Sequence, residues 1–318
     1  MGDIYGNLIF RIMDLQERKT IVPNSEFVNY SCGLIHQLVE IGKLRTAERY
    51  AVTLNSFKRF LDGKSVPLCR VDATLMMAYE MYLKRMGVCP NTSSYYLRNL
   101  RAMYNRAVEQ GFTEQRFPFK HVYTGIEKTV KRAVPIEVIR AIRDLQLASH
   151  SSMDWARDMF LFSFYTRGMS FIDMAYLKKK DLQNGLLMYR RQKTGQRLFI
   201  KWEEPMQAII NKYDTSGSPY LLPIIKNNGV DERRQYVNTV HLINKKLKKI
   251  GKQMGLTIPL TTYVARHGWA SIAHSKNVPV SIISEAMGHD SESTTRIYLA
   301  SLDASVIDNA NSLVLNLL

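Results

Sequence analysis

Residues 281–299 read SIISEAMGHDSESTTRIYL. The residues on either side of GHDSES have helical apolar spacing, and GHDSES interrupts it with a glycine and small hydroxyl side chains. Gly288 fits a left-handed C-terminal cap, and Ser291 or Ser293 fits the start of a new helix. The expectation is helix, turn, helix, with His289 at the corner. On one unbroken helix, His289 and Tyr298 would lie on opposite sides, about 13 Å apart along the axis. Only a break lets them cooperate. A tyrosine near a helix end can attack phosphorus if its neighbours stabilise the charge. A partly buried tyrosine and a turn histidine are the structural alternative.

Upstream, TTYVARHGWASIAHS (261–275) sets Arg266 and His267 in a helical stretch with Trp269 and Ile272. An arginine inside an otherwise apolar helix needs an anionic partner. Its planar fork fits two phosphate oxygens, or a carboxylate in a buried salt bridge. Further upstream, LLMYRRQKTGQRLFIKW (186–202) alternates around a K-T-G turn, as a β-hairpin does. The rest of the pattern is helical. Four helices are expected between residues 26 and 112, ending near Gly42, Gly63, Gly87 and Gly111, the fourth opening on a proline and a Thr/Ser cap. The segment 113–134 has weak periodicity and reads as an extended basic linker. New helical patterns begin at Pro135 and resume at Val237. Residues 1–25 read as an N-terminal extension, a helical arm or a packing strap.

Lys and Arg number 44 against 28 Asp and Glu, a formal charge of +16. Such an excess points to a polyanion or an anionic membrane surface. No apolar run has the roughly 18 residues a bilayer span needs, and no signal peptide is recognisable, so nucleic acid is the expected partner. Arg98, Arg101 and Arg106 lie beside Tyr95, Tyr96 and Tyr104, and Lys245 and Lys249 belong to a second basic run. Phosphate contact is the expected role of both groups; a solvated helix face is the alternative. The three cysteines are unclustered. They point to a reducing cytoplasm, and against a disulfide framework or a zinc site.

Arg266-His267, Gly288-His289 and Tyr298 resemble, in order and spacing, the tyrosine recombinases of the phage integrase family, whose C-terminal signature is G-H-x8-Y. RQKTGQ (191–196) resembles the family's catalytic-lysine hairpin. SFIDMAYLKKKDL (170–182) resembles its R-x-x-E/D-L-x-x-L box. The resemblance implies a mainly α fold with a small antiparallel β-sheet in two domains. These are a helical, SAM-like core-binding domain over 26–112 and an α+β catalytic domain over 135–318. It also implies site-specific strand exchange on double-stranded DNA by four protomers, for inversion or for integration of a mobile element, with no cofactor and no metal. Tyr298 would attack phosphorus, Arg266 would hold the non-bridging oxygens, and Lys193 would protonate the leaving oxygen. His289 would hydrogen-bond the phosphate, with Tyr263 and His267 as helpers.

Two departures stand out. Asp173 fixes the register of the first box, and the arginine position is Ser170, as in an invertase/integrase branch with serine there. Arg167, taken as one helical turn upstream, is the expected replacement; Arg191 is the competitor. Tyr263 stands where the family has histidine, and a phenol is a poor proton shuttle at neutral pH. A type IB topoisomerase-like enzyme and a catalytically impaired DNA-binding regulator are the alternatives. The short N-terminal extension leans toward inversion. The tail 304–318 is expected to dock on a neighbouring subunit or on its own domain.

Overall fold

The computed structural model describes residues 26–127 and 133–299, together with Ser312 and Leu315. The chain divides into two compact units, Met1–Thr129 and Val130–Leu318. The expectations for the N-terminal extension and the C-terminal tail lie outside the described residues.

The first unit contains α1 (Phe27–Glu40), α2 (Leu44–Leu61), α3 (Ala73–Arg85) and α4 (Pro90–Glu109). Asp72 opens α3 by accepting the Leu75 backbone N–H, which satisfies one of the donors a helix start leaves free. Pro90 opens α4, where its missing N–H costs nothing. The residue before it is Cys89, whose side chain makes no capping bond, so the expected hydroxyl cap is absent at that position. The core gathers Phe27, Phe57 and Tyr79 edge to face, with ring centroids 5.7 and 5.1 Å apart. The buried Tyr79 hydroxyl donates to Ser56 Oγ at 2.8 Å.

The segment expected as an extended linker packs on this unit as far as residue 127. Phe119 and Val122 are buried in the helical core. The Tyr104 hydroxyl donates to the Glu114 carbonyl at 2.9 Å and accepts from the Arg116 N–H at 3.2 Å. Two apolar side chains that fill a groove between helices carry no period, so the pattern alone reads as linker.

The second unit contains α5 (Ile136–Arg143), α6 (Ser152–Tyr165) and α7 (Phe171–Ala175), then strands β1 (Leu182–Gln183), β2 (Leu186–Arg190) and β3 (Arg197–Lys201). After them come α8 (Glu204–Asn211), α9 (Glu232–Gln253), α10 (Thr262–Ser275), α11 (Val280–Ala286) and α12 (Glu292–Leu299). The sheet is antiparallel in the order β1-β2-β3. Its register sets Leu187 against Ile200 and Tyr189 against Leu198, while Met188 and Phe199 pair on the other face and are exposed. Helix α6 runs through the core with Met159, Phe160 and Phe162 fully buried. At its start, Lys212 bridges Asp154 and Asp158 at 2.5 and 2.7 Å, and Arg157 pairs with both. This network fastens α6 to the end of α8. Helix α9 begins five residues before the expected Val237. Its polar first turn is held by Asp231, which accepts the Arg234 N–H, and by Gln235, which binds the loop before it.

Candidate active site

Arg266 is 3% exposed on α10. Its guanidinium donates to the Gly168 carbonyl at 2.6 Å, to the Met287 carbonyl at 2.7 Å and to His289 Nε2 at 3.0 Å. Arg191, at the end of β2, is 6% exposed. It donates from Nη1 to the Gly288 carbonyl, and its Nε lies 4.0 Å from Asp173 Oδ2 without a hydrogen-bond partner. Two guanidiniums therefore converge on adjacent carbonyls of one turn, at the end of α11. Carbonyl oxygens orient these groups without cancelling their charge, and the Asp173 carboxylate offsets only part of that on Arg191. A buried region built this way favours an incoming anion.

The turn has this shape for local reasons. Gly288 takes φ +64°, as the left-handed cap predicted from the sequence requires. A Cβ there would lie 3.0 Å from both Arg191 Cδ and Leu198 Cδ1. His289 follows, 9% exposed, at the corner before α12. An arginine can only donate, so His289 Nε2 is an acceptor and the ring proton is on Nδ1. Nδ1 donates to Thr295 Oγ1 at 2.7 Å. Burial first, then Arg266, Arg191 and Lys193, push the imidazolium pKa down to about 3. The ring is neutral near pH 7.

Asp173 ties α7 to the hairpin. It accepts from Ser170 Oγ at 2.5 Å and from the Gln192 N–H at 2.7 Å. Arg167 does not share a helix with Ser170. Helix α6 ends at Tyr165, Arg167 takes φ +60° and Gly168 φ +71°, and Ser170 starts α7. The one-turn offset inferred from helical geometry therefore does not apply. Gly168 lets α10 approach this turn: a Cβ there would sit 2.8 Å from Arg266 Cα. Arg167 is half-buried, and its charge is felt at the Tyr189 phenol together with those of Arg266 and Arg191. Burial, then Asp173, raises that phenol against all three.

Lys193 is exposed in the hairpin turn, which is closed by the Arg191 N–H to the Gln196 carbonyl at 2.8 Å. Tyr263 is 52% exposed, its ring 5.3 Å from that of His267. Tyr298 belongs to α12, next to the buried Leu299; its side chain lies outside the described residues. In the first unit, Arg101 is exposed and donates to Thr124 Oγ1 at 3.2 Å. Arg98 donates to the Ser94 carbonyl at 3.4 Å, and Arg106 is exposed. Lys245 and Lys249 are exposed on α9. Among the described residues, no cluster of three or more His, Cys, Asp or Glu could hold a metal ion.

Residues 142–305 match the phage integrase family, and residues 26–122 match the phage integrase SAM-like domain. The chain belongs to the phage integrase family. Tyrosine recombinase XerC of Leptospira interrogans is 20% identical over 301 residues, covering 93% of this chain and 94% of the relative. Tyrosine recombinase XerA of Pyrococcus horikoshii is 27% identical over 189 residues, covering 57% and 64%. Among solved structures, a lambda integrase (75–356) dimer bound to a COC′ core site aligns with TM-score 0.68 at 16% identity, covering 88% of this chain and 97% of that one. XerH bound to a palindromic difH substrate aligns with TM-score 0.62 at 16% identity, covering 96% and 93%. At these identities the solved structures establish the fold.

Two residues of this arrangement were not anticipated from the sequence. Thr295 is fully buried against His289, yet in the sequence it is the second of two adjacent threonines and nothing distinguishes it. Tyr189 lies in the hairpin sequence, where nothing singles it out.

Proposed function

We propose that this chain is a site-specific DNA recombinase that cleaves and rejoins strands through a 3′-phosphotyrosine intermediate. Tyr298 attacks phosphorus, a 5′ hydroxyl leaves, and the hydroxyl of a partner strand reverses the linkage. Each step exchanges one phosphodiester for another, so no ATP is consumed. The observation that carries the reading is the convergence of Arg266 and Arg191 on the Met287 and Gly288 carbonyls, beside His289 and just before the helix that bears Tyr298. Such preorganised donors act where negative charge rearranges.

Ser170 stands in the box position where the family has arginine, and Arg191 supplies the second guanidinium. Its burial, its approach to Asp173 and its effect on His289 support it over Arg167. Lys193 serves as general acid toward the 5′ oxygen, His289 hydrogen-bonds the phosphate, and Tyr263 and His267 assist. Arg98, Arg101, Arg106, Lys245 and Lys249 contact the DNA backbone. The working assembly is a tetramer on two sites in the cytoplasm, for inversion or for integration of a mobile element. A similar fold is seen in a lambda integrase tetramer bound to a Holliday junction.

The test is a nicked suicide duplex cut from the DNA flanking the chain's gene. The native chain is expected to trap a 3′-linked adduct. Tyr298→Phe, which removes only the attacking oxygen, is expected to form none while binding the same duplex. An adduct formed by the phenylalanine variant refutes the nucleophile. Specific binding without any adduct from the native chain indicates a regulator instead.

A further inference from the structure

We infer that Thr295 is a positioning residue that lets His289 reverse its hydrogen-bonding direction when a phosphate enters the site. The inference rests on the recombinase reading, and it concerns a residue that reading leaves unused. In the structure the ring is neutral, with its proton on Nδ1 facing Thr295 at 2.7 Å and its Nε2 lone pair accepting from Arg266 at 3.0 Å. That arrangement is wrong for the role at the phosphate. A bare Nε2 lone pair aimed at an anionic oxygen repels it.

The resting lone pair occupies the place of an acceptor for Arg266. When a phosphate oxygen takes over as that acceptor, Arg266 and His289 must both donate to it. His289 then needs its proton on Nε2, and Nδ1 becomes an acceptor. The ring remains neutral through the change: it gains one proton at Nε2 and loses one from Nδ1, both exchanged with solvent when the buried corner opens. The partner on Nδ1 has to accept before the change and donate after it. A hydroxyl does both, because its hydrogen rotates to suit. A carboxylate would only accept, and a valine would do neither. Thr295 is fully buried, so water does not stand in for it. It also sits on α12, three residues before Tyr298, with Leu299 of the same helix packed on Ile283 and Met287. The hydrogen bond therefore fixes the imidazole to the helix that carries the nucleophile.

Two measurements on the full chain test this. The first is the nitrogen-15 spectrum of histidine-labelled protein near pH 7.5, with the His289 signals assigned by their loss in His289→Gln. The free chain is expected to show the Nδ1–H tautomer, and addition of inorganic phosphate is expected to move it to Nε2–H. A ring that keeps its Nδ1 proton at saturating phosphate overturns the inference. The second is single-turnover cleavage of the suicide duplex. Thr295→Val is expected to slow cleavage about 10–100-fold, by analogy with the loss seen when the outer hydrogen-bond partner of a metal-bound histidine is removed, with the Kd for the duplex unchanged. Thr295→Ser returns the hydroxyl and is expected to recover most of the rate. Cleavage by Thr295→Val within twofold of the native rate overturns the inference, as does a serine variant as slow as the valine one while melting like the native chain. If the native chain forms no adduct, the recombinase reading fails by itself, and the phosphate spectrum still decides the role of Thr295.

Discussion

Replacing Arg191 by alanine separates the two candidates for the second guanidinium. The side chain is buried, donates to the Gly288 carbonyl and lies 4.0 Å from Asp173. Removing one preorganised donor from a site of developing charge costs about 10²–10³ in rate, roughly 2.7–4 kcal/mol. The fold should lose less. Asp173 keeps its bonds from Ser170 and from the Gln192 N–H, so its carboxylate is not left without donors. The lost charged hydrogen bond to Gly288 costs about 2 kcal/mol, which for a unit of this size lowers the melting temperature by roughly 4–8 °C. Cleavage at 25 °C therefore reads chemistry on folded protein. The assay is single-turnover cleavage of a nicked suicide duplex at saturating protein, with melting followed in parallel. Arg191→Lys keeps a charge but loses the fork, and should fall between native and alanine. Arg167→Ala should lose less than about tenfold. A hundredfold loss in Arg167→Ala, with Arg191→Ala within tenfold of native, would show that the arginine of the 166–168 turn holds the phosphate and that the convergence at Gly288 is structural.

Gly168→Ala should be severe for its size: the new Cβ meets the Arg266 backbone at 2.8 Å in a left-handed conformation, so both melting temperature and cleavage should drop, and a variant that melts and cleaves like the native chain refutes the close approach. His289 is held neutral, with its folded pKa near 3 against 6.5 unfolded. The stability from that depression is present above about pH 6.5 and is lost as pH falls toward 3; His289→Gln should flatten this acid limb in urea melts between pH 7 and 4, and an unchanged limb would place the acid sensitivity elsewhere. Lys245→Ala with Lys249→Ala should weaken DNA binding and lower the slope of log K against log salt by about 2, and an unchanged slope removes these lysines from the backbone interface.

The hairpin and the corner at His289 were legible because each rests on local chemistry: two β-prone runs around a K-T-G turn, and a glycine able to take a positive φ. The buried setting of Arg191 was not. Helical geometry linked Arg167 to Ser170, but the chain turns at 167–168, where Gly168 lies against α10, and that neighbour is distant in sequence. Arg191 acquires its setting from Asp173 and Gly288, neither adjacent to it in the chain. Phe119 and Val122 were misread for a related reason, since two side chains filling a groove leave no period. Helix α9 starts early because Asp231 and Gln235 satisfy its polar first turn, a matter of hydrogen bonds and not of apolar spacing.

The bonds that gather the site span most of the catalytic unit. Arg266 reaches Gly168 across 98 residues, and Arg191 reaches Gly288 across 97. Closing loops of that length costs chain entropy before any contact repays it, so such contacts form late in folding. Helices α6, α9 and α10 can each form from nearby residues, but a half-folded catalytic unit lacks the proposed phosphate site. Its arginines still face water. During synthesis, the His289 corner and the helix of Tyr298 emerge after Gly168, Arg191 and Arg266 are already in place along the chain. The proposed nucleophile thus joins its site only after Gly168, Arg191 and Arg266 have been made, and strand cleavage would report that these distant segments have come together.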